Sequence, residues 1–361
     1  MYDLLLKNAW VVDPLNSVNG VADVAIQDSK IAKVQRDITE EAKEVIDFTG
    51  KTLQPGIIDS HVHLGEMWGS PFGPRMLAMN GVTTCLDMAG PLENILDNVP
   101  KYGVGINMAI LQFASPPFTF KDANPSQQEM IDLIDKSLEE GALGVKLLGG
   151  HYPLEPEVSS LLIRTALERR AYVAWHAGTT KNGSNINGMI EAVKMADGYP
   201  MHLAHINAYC RGAIKDAMEE TAIAIDLLKA NPNIFCESYV SPKNGTRLTC
   251  DKDGKIQSKV TGNCLRAFGF TEDKDGVRAA LLAGKAFVVY DAGGYSDLMT
   301  GEEALRRWEA ADTNVGGSFN INLVSPWLRP NAMTAPSSLT QFPPTADASP
   351  ATSSFLKDCL S

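Results

Sequence analysis

The sequence lacks the cysteine patterns of zinc ribbons and of disulfide-stabilised secreted domains. Six cysteines occur among 361 residues, and none forms a Cys-x-x-Cys pair. Such pairs are typical of zinc ribbons, and dense cysteines are typical of small secreted domains. We therefore expect most of the cysteines to be small buried side chains, although Cys250 and Cys264 share a polar segment in which they could meet.

Long apolar runs and clusters of basic residues are also missing. No stretch of about 18 uncharged apolar residues occurs, and the first residues lack a cationic lead followed by an apolar segment. The net charge is -11, and Lys and Arg are not clustered. These features argue against binding to nucleic acid or to a membrane. They predict a cytoplasmic protein that acts on a small molecule, with a homo-oligomer left open.

Hydrophobic patterning divides the chain into three segments. Residues 1–53 carry short strand runs separated by turns, which predict a small β domain. Residues 54–324 alternate apolar strand runs with helical patterns. Eight strand runs are predicted there: 57–63, 82–88, 106–113, 143–148, 172–176, 201–206, 234–239 and 286–291. Eight such units predict an α/β fold, namely a (β/α)8 TIM barrel with parallel strands. Residues 325–361 are rich in Pro, Ser and Thr and predict an irregular tail.

The first barrel strand ends in two histidines at alternate positions. His61 and His63 close the run that starts after Pro55-Gly56. Alternate residues of a strand point to the same side, so both imidazoles can bind one cation. The alternative is a pair of surface or core histidines that happen to alternate.

Other polar residues stand at the ends of later strand runs, where the carboxyl ends of barrel strands converge. They are Lys146, His176, His205 and Asp291. Together with the first pair, they suit two divalent cations if the lysine amine reacts with CO2 to form a bridging carbamate. Nitrogen and oxygen ligands favour Zn²⁺, with manganese, iron and cobalt as alternatives.

Two of these residues have a competing interpretation. Lys146 lies inside an apolar run, where a buried ammonium needs a partner, and an ion pair would serve as well as a carbamate. His202 competes with His205 for the sixth strand, because residues three apart on a strand face opposite ways. His205 lies nearer the carboxyl end and is the predicted ligand, which leaves His202 a structural role.

This ordered set of residues resembles the amidohydrolase superfamily. Its members carry a His-x-His pair after strand one, a lysine carbamate or glutamate on strand four, histidines after strands five and six, and an aspartate after strand eight. The dihydroorotase, hydantoinase and D-aminoacylase branches are the most similar. The resemblance implies a small β-sandwich built from the chain ends. Residues 325–361 offer no convincing strand run for it and would be an abbreviated return.

The resemblance implies a metal-dependent hydrolase that cleaves the C–N bond of a cyclic amide or an N-acyl amino acid with a metal-activated hydroxide. One metal would be held by His61, His63, Lys146 and Asp291, and the other by Lys146, His176 and His205. Asp291 would take the proton from the nucleophile and pass it to the leaving nitrogen. The predicted substrate contacts are His151, Tyr152, Tyr209 and Arg211, of which Arg211 could pair with a carboxylate.

Two rival functions remain. A mononuclear deaminase of an aminated ring would use His61, His63, His176 and Asp291 without a carbamate. Such enzymes usually carry a glutamate three residues after the fifth-strand histidine, where this chain has Thr179. The other rival is a non-catalytic scaffold with the same fold, which a loss of ligands would mark; none of the predicted ligands is missing.

Overall fold

The computed structural model describes residues 1–64, 73–238, 243–248, 250–256, 259–291, 296–299, 301–313 and 320–324. The predicted tail over 325–361 lies outside the described residues. The chain forms two compact units. The first holds Met1–Ile58 and Gly81–Thr84, and the second holds the described residues of Asp59–Asn80 and those from Cys85 onward. No helix in the described part is long and apolar enough to cross a membrane.

A mixed five-stranded sheet forms most of the first unit. Its strands are β1 (Tyr2–Asp13), β2 (Val18–Gln27), β3 (Lys30–Gln35), β4 (Ala42–Asp47) and β5 (Thr52–Leu53). The order is β3-β2-β1-β4, and β5 pairs with β1. Small and branched apolar side chains of β1 and β2, such as Val11 and Val24, form its core. The described residues show a single sheet here, so the predicted sandwich stays a prediction.

A second sheet has seven strands that follow one another in chain order. They are β6 (Ile57–Val62), β7 (Val82–Asp87), β8 (Asn107–Ala114), β9 (Gly144–Leu148), β10 (Tyr172–His176), β11 (Met201–Leu203) and β12 (Ile234–Cys236). The four pairs from β8 to β12 are parallel. These strands match the first seven predicted runs.

Helices follow most of these strands, as a barrel pattern predicts. They are α1 (Gly73–Met79), α2 (Leu92–Tyr102), α3 (Gln127–Glu139), α4 (Pro156–Glu168), α5 (Ile186–Ala196), α6 (Ala217–Ala230), α7 (Lys259–Ala267), α8 (Lys274–Leu282) and α9 (Gly301–Thr313). Capping residues at the first turn stabilise the starts of several of these helices. Ser126 and Glu129 form a capping box on α3, and Asn185 and Asp216 cap α5 and α6.

Within the described residues, the predicted eighth barrel strand does not pair with the other seven. It forms β14 (Ala286–Asp291), which pairs antiparallel with β15 (Ser296–Met299) and β16 (Asn320–Val324). With β13 (Lys243–Arg247), these strands form a separate four-stranded sheet. An apolar run of this kind fits either a parallel or an antiparallel partner, so its periodicity alone does not determine its sheet.

Strand alternation separates the two faces of the parallel sheet. Leu147 and Trp175 belong to the large core that β8–β12 share with α3–α6. Their neighbours Lys146, Ala174 and His202 therefore point to the opposite face, and strand register aligns these three side by side. The opposite face thus carries two ionisable groups inside the fold, and both are buried.

Candidate metal centre

Four imidazoles meet at the carboxyl end of the parallel sheet. The ring centroids of His61 and His63 lie 5.1 Å apart, those of His61 and His205 5.1 Å, and those of His176 and His205 4.4 Å. Burial lowers the pKa of each of these four side chains. They are therefore neutral near pH 7, which is the form in which imidazole binds a metal.

The His-x-His pair is held in a defined orientation. His61 Nε2 lies 3.2 Å from His63 Nε2, and His61 Nδ1 contacts Glu237 Oε1. Glu237 is the first residue after β12, and its other oxygen lies 2.8 Å from His202 Nε2. Glu237 is not among the predicted ligands, although it directly follows an apolar strand run, as a residue at the carboxyl end of a barrel strand does.

Burial raises the pKa of Glu237, but hydrogen bonds from His202 and His61 outweigh burial and hold the pKa well below its usual range. We conclude that Glu237 is an ionised acceptor for both rings. His202 Nδ1 is in turn 2.8 Å from the Tyr172 hydroxyl. His202 is thus fully engaged between Tyr172 and Glu237, in agreement with the structural role expected for it.

His205 reaches the cluster by a backbone turn. The strand β11 ends at Leu203, and His205 has φ 34° and ψ 68°, in the left-handed region that non-glycine residues rarely occupy. The expectation that His202 and His205 face opposite ways assumed a continuous strand. Because the strand ends first and the backbone reverses, both side chains reach the same side of the sheet.

Lys146 is buried on this face without a carboxylate partner among the described residues. Its side chain is 1% exposed, and its Nζ lies 3.2 Å from Met88 Sδ. No salt bridge of Lys146 occurs in the described part of the chain, so the ion-pair interpretation finds no partner there. Burial lowers the pKa of Lys146 to about 8, against the attraction of Glu237 and Asp87. The amine is therefore much more readily deprotonated than an ordinary lysine.

Asp87, the last residue of β7, is a second carboxylate that was not among the predicted site residues. It is fully buried and accepts backbone N–H groups from Leu64 at 2.5 Å, Ala89 at 3.1 Å and Gly90 at 2.6 Å. Burial raises the pKa of Asp87 to about 6, although these hydrogen bonds oppose the shift. The contact with Leu64 fixes the backbone directly after His63.

Two predicted substrate contacts lie beside the histidines. The His151 ring is 5.4 Å from that of His176, and Tyr152 packs edge-on against Phe118 at 5.0 Å. Phe118 is 42% exposed, so this aromatic group is accessible to solvent on one side. His151 therefore lies beside the histidine cluster with Tyr152 next to it, and their substrate role stays a prediction.

The other two predicted contacts have different surroundings. Tyr209 is fully buried, and its hydroxyl accepts the Ala177 N–H at 2.8 Å and donates to the Ala204 carbonyl at 2.8 Å. The hydroxyl is thus occupied inside the protein, so the structure indicates a role between the strand ends in place of substrate binding. Arg211 Nη1 lies 3.4 Å from Cys264 Sγ. Cys250 and Cys264 are both free thiols and form no disulfide.

Several known proteins are similar to parts of this chain. No family model matches the chain. A dihydroorotase from Streptococcus pneumoniae serotype 4 is 32% identical over 198 residues, covering 52% of this chain and 44% of that protein. An allantoinase from Salmonella choleraesuis is 39% identical over 99 residues, covering 26% of this chain and 21% of that protein. The resemblance to amidohydrolases is confirmed. The chain spans less than half of the length of these two curated relatives.

Solved structures show the same fold. An N-acyl-D-glutamate deacylase from Bordetella bronchiseptica, complexed with zinc and a phosphonate inhibitor, matches with a TM-score of 0.63 at 17% identity, over 90% of this chain and 72% of that one. A D-aminoacylase matches with a TM-score of 0.61 at 18% identity, over 90% and 72%. These amidohydrolase structures support a TIM-barrel-like fold for the chain.

The His-x-His pair fits the metal site of an amidohydrolase. Two nitrogen ligands about 2.05 Å from a tetrahedral zinc are separated by about 3.3 Å. The observed 3.2 Å between the Nε2 atoms of His61 and His63 is close to that value. Within the described residues, no three His, Cys, Asp or Glu side chains are grouped tightly enough to bind one ion. Asp291 ends β14, but its side chain lies outside the described part, so its ligand role stays a prediction.

A glycine controls the position of His176. A Cβ atom on Gly150 would lie 1.9 Å from His176 Nε2, and the same nitrogen lies 2.8 Å from the Ser184 hydroxyl. We expect Gly150→Ala to displace the ring and to weaken Zn²⁺ binding by about tenfold to a hundredfold. Titration of Zn²⁺ against a chromophoric chelator measures this effect.

Gly20→Ala is the matched control, because a Cβ there meets nothing within 4 Å and the backbone is not left-handed. It should bind Zn²⁺ as the unsubstituted protein does. Equal affinity in the Gly150 variant would show that His176 is not needed at the metal centre.

Proposed function

We propose that this protein is a metal-dependent amidohydrolase that cleaves a C–N amide bond in a small molecule, either a cyclic amide or an N-acyl amino acid. The observation that carries the proposal is the buried Lys146, which faces neutral histidines and has no ion-pair partner in the described residues. The dihydroorotase and allantoinase relatives favour the same reaction class, although the chain covers only part of each.

A carbamate accounts for Lys146 better than an ammonium does. Burying a bare ammonium costs free energy, and no ion pair in the described residues offsets that cost. With a pKa of about 8, a useful fraction of the amine is unprotonated near neutral pH. The amine nitrogen then bonds to the carbon of CO2 and loses one proton. The product is an anion with two oxygen ligands at the place where the ammonium stood.

The metal ligands in this proposal are His61, His63, carbamylated Lys146, His176, His205 and Asp291, for two divalent ions of which zinc is our choice. Bound divalent ions lower the pKa of a water molecule and polarise a carbonyl oxygen. Asp291 would take a proton from the attacking water and pass it to the leaving nitrogen; one C–N bond would break, one C–O bond would form, and an acid and an amine would result.

The protein residues around the ions have separate tasks in this scheme. His151 lies next to His176, and Tyr152 lies beside His151; both would orient the substrate. Arg211 would pair with a substrate carboxylate. The deaminase alternative would place an acidic side chain at position 179 to protonate the ring of the substrate. Thr179 is buried there, and its hydroxyl donates to Glu191 Oε2 at 2.7 Å, which leaves no ring-protonating group at this position.

The test combines metal analysis with a substrate screen. Purified protein should contain about two equivalents of divalent metal, and it should hydrolyse one member of a panel of N-acyl amino acids, hydantoins and dihydropyrimidines. A double variant, His61→Ala with His63→Ala, is the control and should lose both properties. One equivalent of metal with ammonia released from aminated rings would favour the deaminase. Metal without turnover of any panel member would favour the scaffold.

A further inference from the structure

A continuous chain of hydrogen bonds crosses the inner face of the sheet behind the His-x-His pair. It runs from the Tyr172 hydroxyl to His202 Nδ1 at 2.8 Å, from His202 Nε2 to Glu237 Oε2 at 2.8 Å, and from Glu237 Oε1 to His61 Nδ1. The chain links three neighbouring strands, β10 to β12, to β6. All four side chains are largely buried, so solvent does not compete for these contacts.

The direction of every bond in this chain follows from its two ends. Burial raises the pKa of Tyr172, so its hydroxyl keeps its proton, and we assign it as the donor to His202 Nδ1, 2.8 Å away. His202 must then carry its own proton on Nε2, which donates to Glu237. The carboxylate can only accept, so His61 must donate from Nδ1. The lone pair of neutral His61 is thereby left on Nε2, the atom that faces His63.

Glu237 uses both carboxylate oxygens in this way. A glutamate that only neutralised Lys146 would approach its ammonium, yet no such salt bridge occurs among the described residues, and Lys146 Nζ contacts Met88 instead. A glutamate present only for packing would not need two donors on opposite oxygens. The geometry is that of a carboxylate that fixes the tautomer and the orientation of a metal-binding histidine.

We propose that Glu237, held by His202 and Tyr172, is a positioning residue that keeps the His61 proton on Nδ1 and presents the Nε2 lone pair to a divalent cation. The proposal rests on the metal centre of the proposed function, but it does not depend on which substrate is hydrolysed. Glu237 touches neither the substrate nor the ion in this account.

Two variants of Glu237 separate its charge from its shape. Glu237→Leu removes both acceptors, and we expect it to weaken Zn²⁺ binding by about a hundredfold. Glu237→Gln keeps the shape and one acceptor oxygen, but its amide N–H groups must meet an unprotonated nitrogen, so we expect about a tenfold loss. Glu219→Gln is the control. It removes an exposed carboxylate that pairs with Lys215 on the surface, and its Zn²⁺ affinity should be unchanged.

A second measurement reads the tautomer directly in metal-free protein. In protein labelled with ¹⁵N-histidine, the His61 signals, assigned by their loss in His61→Gln, should report a proton on Nδ1. In Glu237→Leu the proton should move to Nε2. Unfolding in urea shows whether each variant is folded, and the near-isosteric Gln variant remains usable if the Leu variant is not.

The outcomes distinguish the two proposals. A His61 proton that stays on Nδ1 in both variants, or Zn²⁺ affinities within twofold of the unsubstituted protein, would overturn the role of Glu237 even if C–N hydrolysis is found. The expected tautomer shift and loss of affinity would support that role even if no amide in the panel is hydrolysed. A protein that binds no Zn²⁺ would overturn both.

Discussion

Lys146→Met is expected to lower C–N hydrolysis roughly a thousandfold, and in metal-free, CO2-free protein it should leave the fold at least as stable. Methionine cannot form a carbamate, so about one equivalent of metal should be lost. Removing that Lewis acid raises the barrier by several kcal/mol, and a rise of about 4 kcal/mol lowers kcat/KM roughly a thousandfold. The side chain is buried against Met88 and has no ion-pair partner in the described part of the chain. Replacing a buried charge by an apolar group of similar size is neutral or stabilising by about 1–4 kcal/mol.

Metal analysis, amide turnover and urea unfolding measure the three effects. Lys194→Met is the matched control, because Lys194 is exposed in the last turn of α5. It should change none of them. Lys146→Ala should lose the same metal equivalent without the gain in stability, since it also leaves a cavity. Unchanged metal content in both Lys146 variants would remove the carbamate from the proposed function.

The same burial predicts a pH dependence in metal-free, CO2-free protein. The pKa of Lys146 is lowered from 10.5 to about 8 in the folded state, so the unfolded chain binds more protons between these values. The free energy of unfolding should therefore rise with pH from about 8 to 10.5, by roughly 3 kcal/mol in total. Comparison with Lys146→Met isolates this effect, since all other lysines are common to both. A constant difference between the two proteins from pH 7 to 10.5 would contradict the buried ammonium.

Much of the candidate site could be predicted from the sequence, because polar residues at the carboxyl ends of barrel strands converge. Apolar runs located seven of the eight expected strands. The polar residues predicted at the strand ends include His61, His63, His176 and His205, whose rings lie together in the structure. This succeeds because the order of parallel strands follows the chain, so local patterns also specify neighbours. The run that forms β14 was assigned to the wrong sheet, because an apolar run does not reveal by its periodicity whether its partners are parallel or, as here, antiparallel.

Other features depend on backbone geometry or on pairing across strands. His205 adopts its left-handed conformation just after the end of β11, and the hydrophobic periodicity of the sequence does not predict it. Glu237 stands at a strand end and could have been selected, but its double contact with His61 and His202 requires strand register. Tyr209 looked like a polar loop residue, and only its burial showed that its hydroxyl is used inside the protein.

Tyr209→Phe is expected to be among the most destabilising conservative substitutions in this chain. The hydroxyl joins the Ala177 N–H to the Ala204 carbonyl, and these two residues are the chain neighbours of His176 and His205. Phenylalanine fills the same space but satisfies neither group. A buried polar group left without a partner costs about 1–3 kcal/mol, so two of them should lower the free energy of unfolding by about 2–6 kcal/mol.

The effect should extend to the metal centre, because Ala177 and Ala204 are neighbours of the two histidines whose rings lie 4.4 Å apart. We expect Zn²⁺ binding to weaken together with stability, and Zn²⁺ titration and urea unfolding measure the two losses. Tyr199→Phe provides the control, since Tyr199 is 45% exposed and its loss should cost little. If Tyr209→Phe unfolded within about 0.5 kcal/mol of the unsubstituted protein, which is the range of ordinary surface substitutions, the hydroxyl would not be what holds the two strand ends together.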